Sequence, residues 1–101
     1  MGITVPQERV REFCRHWQVR EMSLFGSVLR PDFRADSDID VLVEFASSYR
    51  PTLLDLGRMQ GELEGVFGRS VDLLTRQGVE RSRNPYRKQS ILSSAQVVYA
   101  G

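Results

Sequence analysis

Two acidic residues one position apart, Asp38 and Asp40, open the stretch Asp38-Ile39-Asp40-Val41-Leu42-Val43-Glu44-Phe45, and ten residues separate them from the pair Gly26-Ser27. On an extended strand alternate side chains share a face, so both carboxylates project the same way. Like charges a few ångströms apart repel, and the arrangement calls for a compensating cation. Mg²⁺ fits, being a hard ion commonly held by one or two carboxylates together with substrate phosphates. Gly26 and Ser27 read as the complementary half. A glycine ending a strand permits close approach, and a helical turn after it presents free N–H groups, a seat for phosphate oxygens. The Ser27 hydroxyl adds a donor. Arg30, three residues on, shares the Ser27 face of a helical turn and reaches the same phosphates.

A third carboxylate, Asp72, lies in Ser70-Val71-Asp72-Leu73-Leu74, an apolar strand pattern where a lone acid is unexpected. If that strand neighbours Asp38–Phe45, Asp72 faces the same ions. In a two-metal site, ions roughly 3.5–4 Å apart clamp the attacking and leaving oxygens of an in-line displacement. Asp38 and Asp40 then hold both ions with the triphosphate, and Asp72 holds the second or takes the proton of the incoming hydroxyl. The plainer reading of Asp72 is a strand-terminal acid capping a turn. Arg30 has one too, an ion pair with Asp32 or Asp36.

The elements that must position these groups follow from periodicity. Pro6, Glu8, Val10, Phe13, Cys14 and Trp17 mark an amphipathic helix with proline near its first turn. Met22, Leu24 and Phe25 form a short strand ending at Gly26; Ser27 to Arg30 begins a helical turn closed by Pro31; Asp32 to Ser37 is polar and loop-like. Asp38 to Phe45 is the clearest strand, with Ile39, Val41, Val43 and Phe45 alternating against Asp38, Asp40, Leu42 and Glu44. Pro51 to Phe67 is the clearest helix, stopping at Gly68. Ser70 to Thr75 is a strand, Asn84-Pro85 opens a short helix through Ile91 or Leu92, and Gln96 to Tyr99 is a last, edge strand. This order predicts an α/β or α+β sandwich forming one domain over residues 1–101.

Composition narrows the class. The chain has 101 residues, 41% hydrophobic and 27% charged, with net charge +1, so no global field argues for nucleic acid or membrane. Arginine supplies nearly all the positive charge, Lys88 being the only lysine. One cysteine, Cys14, excludes an internal disulfide and suits a reducing cytosol. The first residues carry no signal-peptide core, and no stretch approaches the roughly 20 apolar residues of a membrane span. A cytoplasmic protein is expected.

The run LFGSVLRPDFRADSDIDVLVEF resembles the signature of the minimal nucleotidyltransferases of the DNA polymerase β-like superfamily: Gly-Ser, a spacer, Asp-x-Asp on a strand and a third Asp on a later one. The resemblance covers Leu24 to Phe45 closely and extends more loosely to Asp72. It implies a nucleotidyltransferase-type mixed sheet of about four strands flanked by helices, with Asp38, Asp40 and Asp72 as catalytic and metal-binding residues and Gly26, Ser27 and Arg30 on the nucleotide phosphates. Two departures stand out. Relatives often carry arginine directly after Gly-Ser and glycine after the second arginine, where this chain has Val28 and Pro31. Length and order further resemble the small antitoxins encoded beside HEPN-domain toxins, some of which move AMP from ATP onto a tyrosine of the toxin. The resemblance thus implies ATP as substrate, Mg²⁺ as cofactor and a HEPN-type ribonuclease toxin as partner. The competing function is a binding module that neutralises such a partner by complex formation alone. Direct nucleic-acid binding lacks a coherent basic face.

Other features carry weaker signals. Gly57, Gly61 and Gly65 recur every fourth residue on the helix from Pro51, although each costs roughly 0.5–1 kcal/mol relative to alanine. At about 100° per residue they fall with Leu54 opposite the side formed by Leu53, Leu56, Met59, Leu63, Val66 and Phe67. That strip suits close approach by a toxin's helices or by a second copy of the chain as a homodimer; solvent is the alternative. The cluster Arg76, Arg81, Arg83, Arg87 and Lys88 reads as a solvated face, or as a seat for nucleotide phosphates or an acidic partner. Asn84 and Tyr86 beside it are candidates for contacting a base. His16 reads as a surface group and Cys14 as a small apolar one.

Overall fold

Apolar side chains on both faces of a short strand force helices onto both sides of a sheet, and the computed structural model has that layering. It describes residues 3–30 and 37–101; the loop expected over Asp32 to Ser37 lies outside these except for Ser37. The described elements are helix α1 (Gln7–His16), strand β1 (Val19–Phe25), a 3₁₀ turn (Gly26–Leu29), strand β2 (Ile39–Phe45), helix α2 (Leu53–Phe67), strand β3 (Val71–Thr75), helices α3 (Arg76–Glu80) and α4 (Pro85–Ser94), and strand β4 (Gln96–Ala100). The sheet order is β3-β2-β1-β4. Strand β1 runs antiparallel to both β2 and β4, whereas β2 and β3 are parallel, joined by α2 as the crossover. The sheet is therefore mixed, as expected.

One face of the sheet packs on α1 and α2. Val10, Phe13 and Cys14 of α1 and Met59 and Leu63 of α2 are buried with Met22, Leu24, Ile39, Val41, Val43 and Val71. Burial pushes the Cys14 thiol up to about 12, so it packs as an apolar group, as the sequence suggested. The helices are cross-tied: Trp17 Nε1 donates to Glu62 Oε2 at 3.1 Å. Helix α2 opens with a capping box, in which Thr52 Oγ1 accepts from the Asp55 N–H and Asp55 Oδ2 accepts from the Thr52 N–H, both at 3.1 Å. It closes on Gly68 at φ +70°, a left-handed cap that favours glycine.

Three expectations need correction. Leu53, placed on the core side of α2, is 88% exposed, because it is the first residue of the helix and contact with the core begins at Leu56. Leu42, placed on the polar face of β2, is buried with Phe25, Val79 and Ile91, since α3 and α4 cover that face. Strand β1 starts at Val19 rather than Met22, because Arg20 and Glu21 disguise a segment held by pairing with β2. Helix α3 was not foreseen; at five residues with Gly78 inside it, it has no intrinsic helical signal.

Candidate active site

The second face of the sheet narrows to a carboxylate cluster at one end. Parallel pairing places Asp40 opposite Asp72 and Ile39 opposite Val71, and the Ile39 N–H donates to the Ser70 carbonyl at 2.9 Å. The entry of β2, with Asp38 and Asp40, is thereby pinned beside the entry of β3. Glu64 Oε2 accepts from the Val71 N–H at 3.2 Å, tying the end of α2 to the same point. On the other side of β2, Phe25 is the antiparallel partner of Asp40. The strand order thus lines up the Gly26-Ser27 turn, Asp40 and Asp72 across three neighbouring strands.

The Asp40 carboxyl is held above its ordinary value first by burial, then by the negative charges of Asp72 and Asp38, while the Arg87 guanidinium acts in the opposite sense. Asp38 and Asp72 are exposed, and Asp40 is half-buried between them. Among the described residues, no three of His, Cys, Asp and Glu are gathered closely enough to hold a metal ion between them. Mg²⁺ commonly takes only one or two protein carboxylates and completes its shell with waters and substrate phosphates. The donor set is all oxygen and anionic, and its mutual repulsion is what a divalent cation relieves.

Gly26 has a physical reason to be glycine. Its φ is +76°, and a Cβ built on it would run into the Asp40 carboxylate, with Asp40 Cγ at 3.3 Å. The turn after it is 3₁₀, and the Arg30 N–H donates to the Ser27 carbonyl at 3.0 Å. Arg30 itself is past the turn in extended conformation, φ −89° and ψ 145°, so it does not share the Ser27 face by helical spacing as the sequence suggested. Its side chain is exposed. Val28 is fully buried in the main core. Pro31, Asp32 and Asp36, which entered the sequence reading, lie outside the described residues.

Arg87, which the sequence offered only as one of a basic cluster read as a solvated face, a seat for nucleotide phosphates or a contact for an acidic partner, is the member whose charge is felt at Asp40. Ile91, four residues on, packs with Phe25 and Leu42 on that side of the sheet. Two other members of that cluster are engaged elsewhere. Arg76 Nε pairs with Glu80 at 3.1 Å and Glu44 at 3.5 Å, and Lys88 Nζ donates to the Glu80 carbonyl at 3.4 Å. Asn84, considered for base contact, is the N-cap of α4, its Oδ1 accepting from the N–H groups of Tyr86 and Arg87 at 3.1 Å. Tyr86 is 84% exposed. His16 is exposed, edge-on to Trp17.

The strip on α2 faces away from the core, as expected. Leu54 is 67% exposed, and a Cβ on Gly57, Gly61 or Gly65 would meet nothing within 4 Å. Among the described residues, no helix is long and apolar enough to cross a membrane.

Comparison with known proteins agrees with this fold. A family model described as the nucleotidyltransferase domain matches residues 7–98. A Methanocaldococcus jannaschii protein with a provisional protein-adenylyltransferase name is 43% identical over 77 residues, 76% of each chain. The protein adenylyltransferase MntA of Thermococcus cleftensis is 34% identical over 70 residues, 69% of each chain. A solved structure described as a minimal nucleotidyltransferase superposes with a TM-score of 0.68 at 34% identity, covering 89% of this chain and 86% of that one. A toxin–antitoxin complex with AMP-PNP gives a TM-score of 0.72 at 18% identity over 95% of this chain and 74% of that one, a likeness of fold.

Proposed function

Because the chain belongs to the nucleotidyltransferase-domain family, among its minimal nucleotidyltransferases, we propose that it transfers AMP from ATP to a hydroxyl, a tyrosine of a HEPN ribonuclease toxin, and so acts as an antitoxin. The observation that carries this reading is the register of Asp40 against Asp72, with Gly26 packed on the Asp40 carboxylate. Asp38 and Asp40 would hold Mg²⁺, which when bound neutralises charge on the phosphates. Gly26 and Ser27 seat the triphosphate, and Arg30 reaches it from beyond the turn. The acceptor oxygen forms a bond to the α-phosphorus as the bond from that phosphorus to its bridging oxygen breaks, and pyrophosphate leaves. Asp72, on the outer strand of the sheet and exposed, takes the hydroxyl proton. The acceptor therefore approaches from the β3 side and the triphosphate from the β1 side.

The names of the relatives support a protein as acceptor, and one neighbouring structure is a tri-AMPylated HEPN toxin in complex with an MNT antitoxin. Intact mass spectrometry tests the proposal directly. The chain is incubated with the product of the adjacent gene, ATP and Mg²⁺, beside a chain carrying Asp38→Ala and Asp40→Ala. We expect the partner to gain one or more AMP masses only with the unaltered chain. A stable complex with no gain from any of the four nucleotides would instead establish neutralisation by binding alone.

The glycine strip of α2 is the proposed contact face for the toxin's helices. Gly61 is open to solvent, so Gly61→Leu leaves the fold intact and, through helix propensity, slightly stabilises the free chain. Partner affinity should fall by roughly tenfold or more, as expected for a bulky side chain placed in a close-packed contact. Affinity equal to that of the unaltered chain, measured by calorimetry, removes the strip from the interface.

A further inference from the structure

Strands β2 and β3 are parallel neighbours, and the chain leaves their carboxyl ends toward opposite faces of the sheet. After β2 it passes into α2, which packs with Val41 and Val43 on one face. After β3 it passes into α3, whose Val79 packs with Leu42 on the other. Connections that diverge in this way leave a crevice between them, the place where open α/β sheets hold ligands. Here the crevice is a cavity of about 520 Å³, within the roughly 300–1,000 Å³ of small-molecule sites. None of Gly26, Ser27, Asp38, Asp40 and Asp72 lines it. Glu44, which does, is four residues along β2 from Asp40, roughly 13 Å at the rise of a strand.

The two walls of the crevice differ in chemistry. Phe45, Tyr49, Pro51 and Leu56 make the wall between β2 and α2 apolar. Its shape is fixed from within the chain. The Tyr49 ring stands edge-on to Phe45 with centroids 5.5 Å apart, and its hydroxyl donates to Asp55 Oδ2 at 3.4 Å. The Ala46 N–H donates to the Gln18 carbonyl at 2.9 Å, holding the start of the loop. Arg50, Arg76 and Arg81 supply positive charge around the same space, and Glu44 and Glu80 negative charge. The glutamates are already matched: Glu44 pairs with Arg20 at 2.8 Å and Arg76 at 3.5 Å, and Glu80 pairs with Arg76 at 3.1 Å. Arg50 and Arg81 are exposed and, among the described residues, have no ion-pair partner. We propose that this crevice is a second ligand site, separate from the carboxylate cluster, for a small organic anion. Arg50 and Arg81 take its phosphate or carboxylate head, and its planar apolar body lies against Tyr49 and Leu56. The guanidinium fork matches both kinds of head group, and a mostly apolar wall with a few placed charges is the usual make-up of such a site.

This site does not depend on the nucleotidyl-transfer reading, and its test is run without divalent metal. Phenyl phosphate and benzoate are titrated into the isotope-labelled chain in buffer with chelator, beside inorganic phosphate and phenol, and amide NMR shifts locate each probe. We expect shifts at Arg50, Arg81 and their neighbours and a dissociation constant of roughly millimolar or tighter for phenyl phosphate, for benzoate or for both. The tighter of the two identifies the head group. Inorganic phosphate and phenol, each with half of the ligand, should bind more weakly. Arg50→Ala and Arg81→Ala should each weaken binding roughly tenfold or more, the range of a lost hydrogen bond to a charged group. Both side chains are exposed, so thermal melting should show the fold intact. Arg83→Ala, outside the cavity, should bind as the unaltered chain does. No saturable shift with either organic anion overturns the proposal, and so do shifts confined to the Gly26-Ser27 turn. Affinity untouched by Arg50→Ala and Arg81→Ala, or an equal loss in Arg83→Ala, overturns it as well. Inorganic phosphate binding as tightly as both organic anions would remove the apolar wall from the site and the proposed ligand class with it.

Discussion

Replacing Asp40 by asparagine should lower nucleotidyl transfer by about 10³-fold or more while raising the melting temperature in metal-free buffer. The first effect follows from position. Asp40 is flanked by Asp38 just before its strand, by Asp72 on β3 and by the Gly26 turn after β1. An amide there carries no charge and cannot replace a carboxylate toward a hard divalent ion. A thousandfold corresponds to about 4 kcal/mol of transition-state stabilisation, which is within the several kcal/mol a catalytic metal supplies.

The second effect follows from linkage. Burial and two neighbouring carboxylates raise the Asp40 pKa in the folded chain above its unfolded value. The fold thus binds that proton more tightly than the unfolded chain does. The stability this contributes is present below the unfolded pKa and is lost as pH rises through the folded one. At neutral pH the ionised Asp40 is a cost carried for function, and asparagine removes it. Kinetics and thermal melting with and without Mg²⁺ check both halves. A variant that keeps a tenth of the rate takes Asp40 out of the chemistry, and a lower metal-free melting temperature would show that the carboxylate is a structural tie.

Gly26→Ala should damage the same site by a steric route. A residue with a Cβ at φ +76° pays the left-handed penalty, roughly 1–2 kcal/mol, and its methyl group must displace the Asp40 carboxylate. A misplacement of about 1 Å at a reacting centre can cost around 10² in rate, so we expect a loss of about that size with a lower melting temperature. Gly68→Ala separates strain from displacement. Gly68 has φ +70° but nothing within 4 Å of a built Cβ, so its alanine variant should lose stability and keep its specific activity at a temperature where it is folded. Equal activity losses in the two variants would mean that strain alone is responsible and that Gly26 does not guard Asp40.

The legible parts of this protein were those that depend on near neighbours in sequence. That Asp38 and Asp40 share a face is an expectation from the alternation of strand side chains, and Gly26 followed by Ser27 signals a strand end and a turn whatever surrounds them. Periodicity likewise located α1, α2 and the four strands, and the proline after Asn84 marked the start of α4. The relation between distant segments was conditional. That Asp72 faces Asp40 depends on β3 pairing with β2 in parallel, a choice made by the α2 crossover and the whole sheet. Leu42 is buried because α3 and α4 return across a face that alternation alone would assign to solvent. Leu53 is exposed because the helix starts before its contact with the core does. Val28 shows the division most clearly: the sequence presents it as a missing arginine, and only packing makes it a core residue. Residue type and short spacing determine which chemistry is available, since they act through local geometry. Which groups meet is decided by long-range burial, which no single segment encodes.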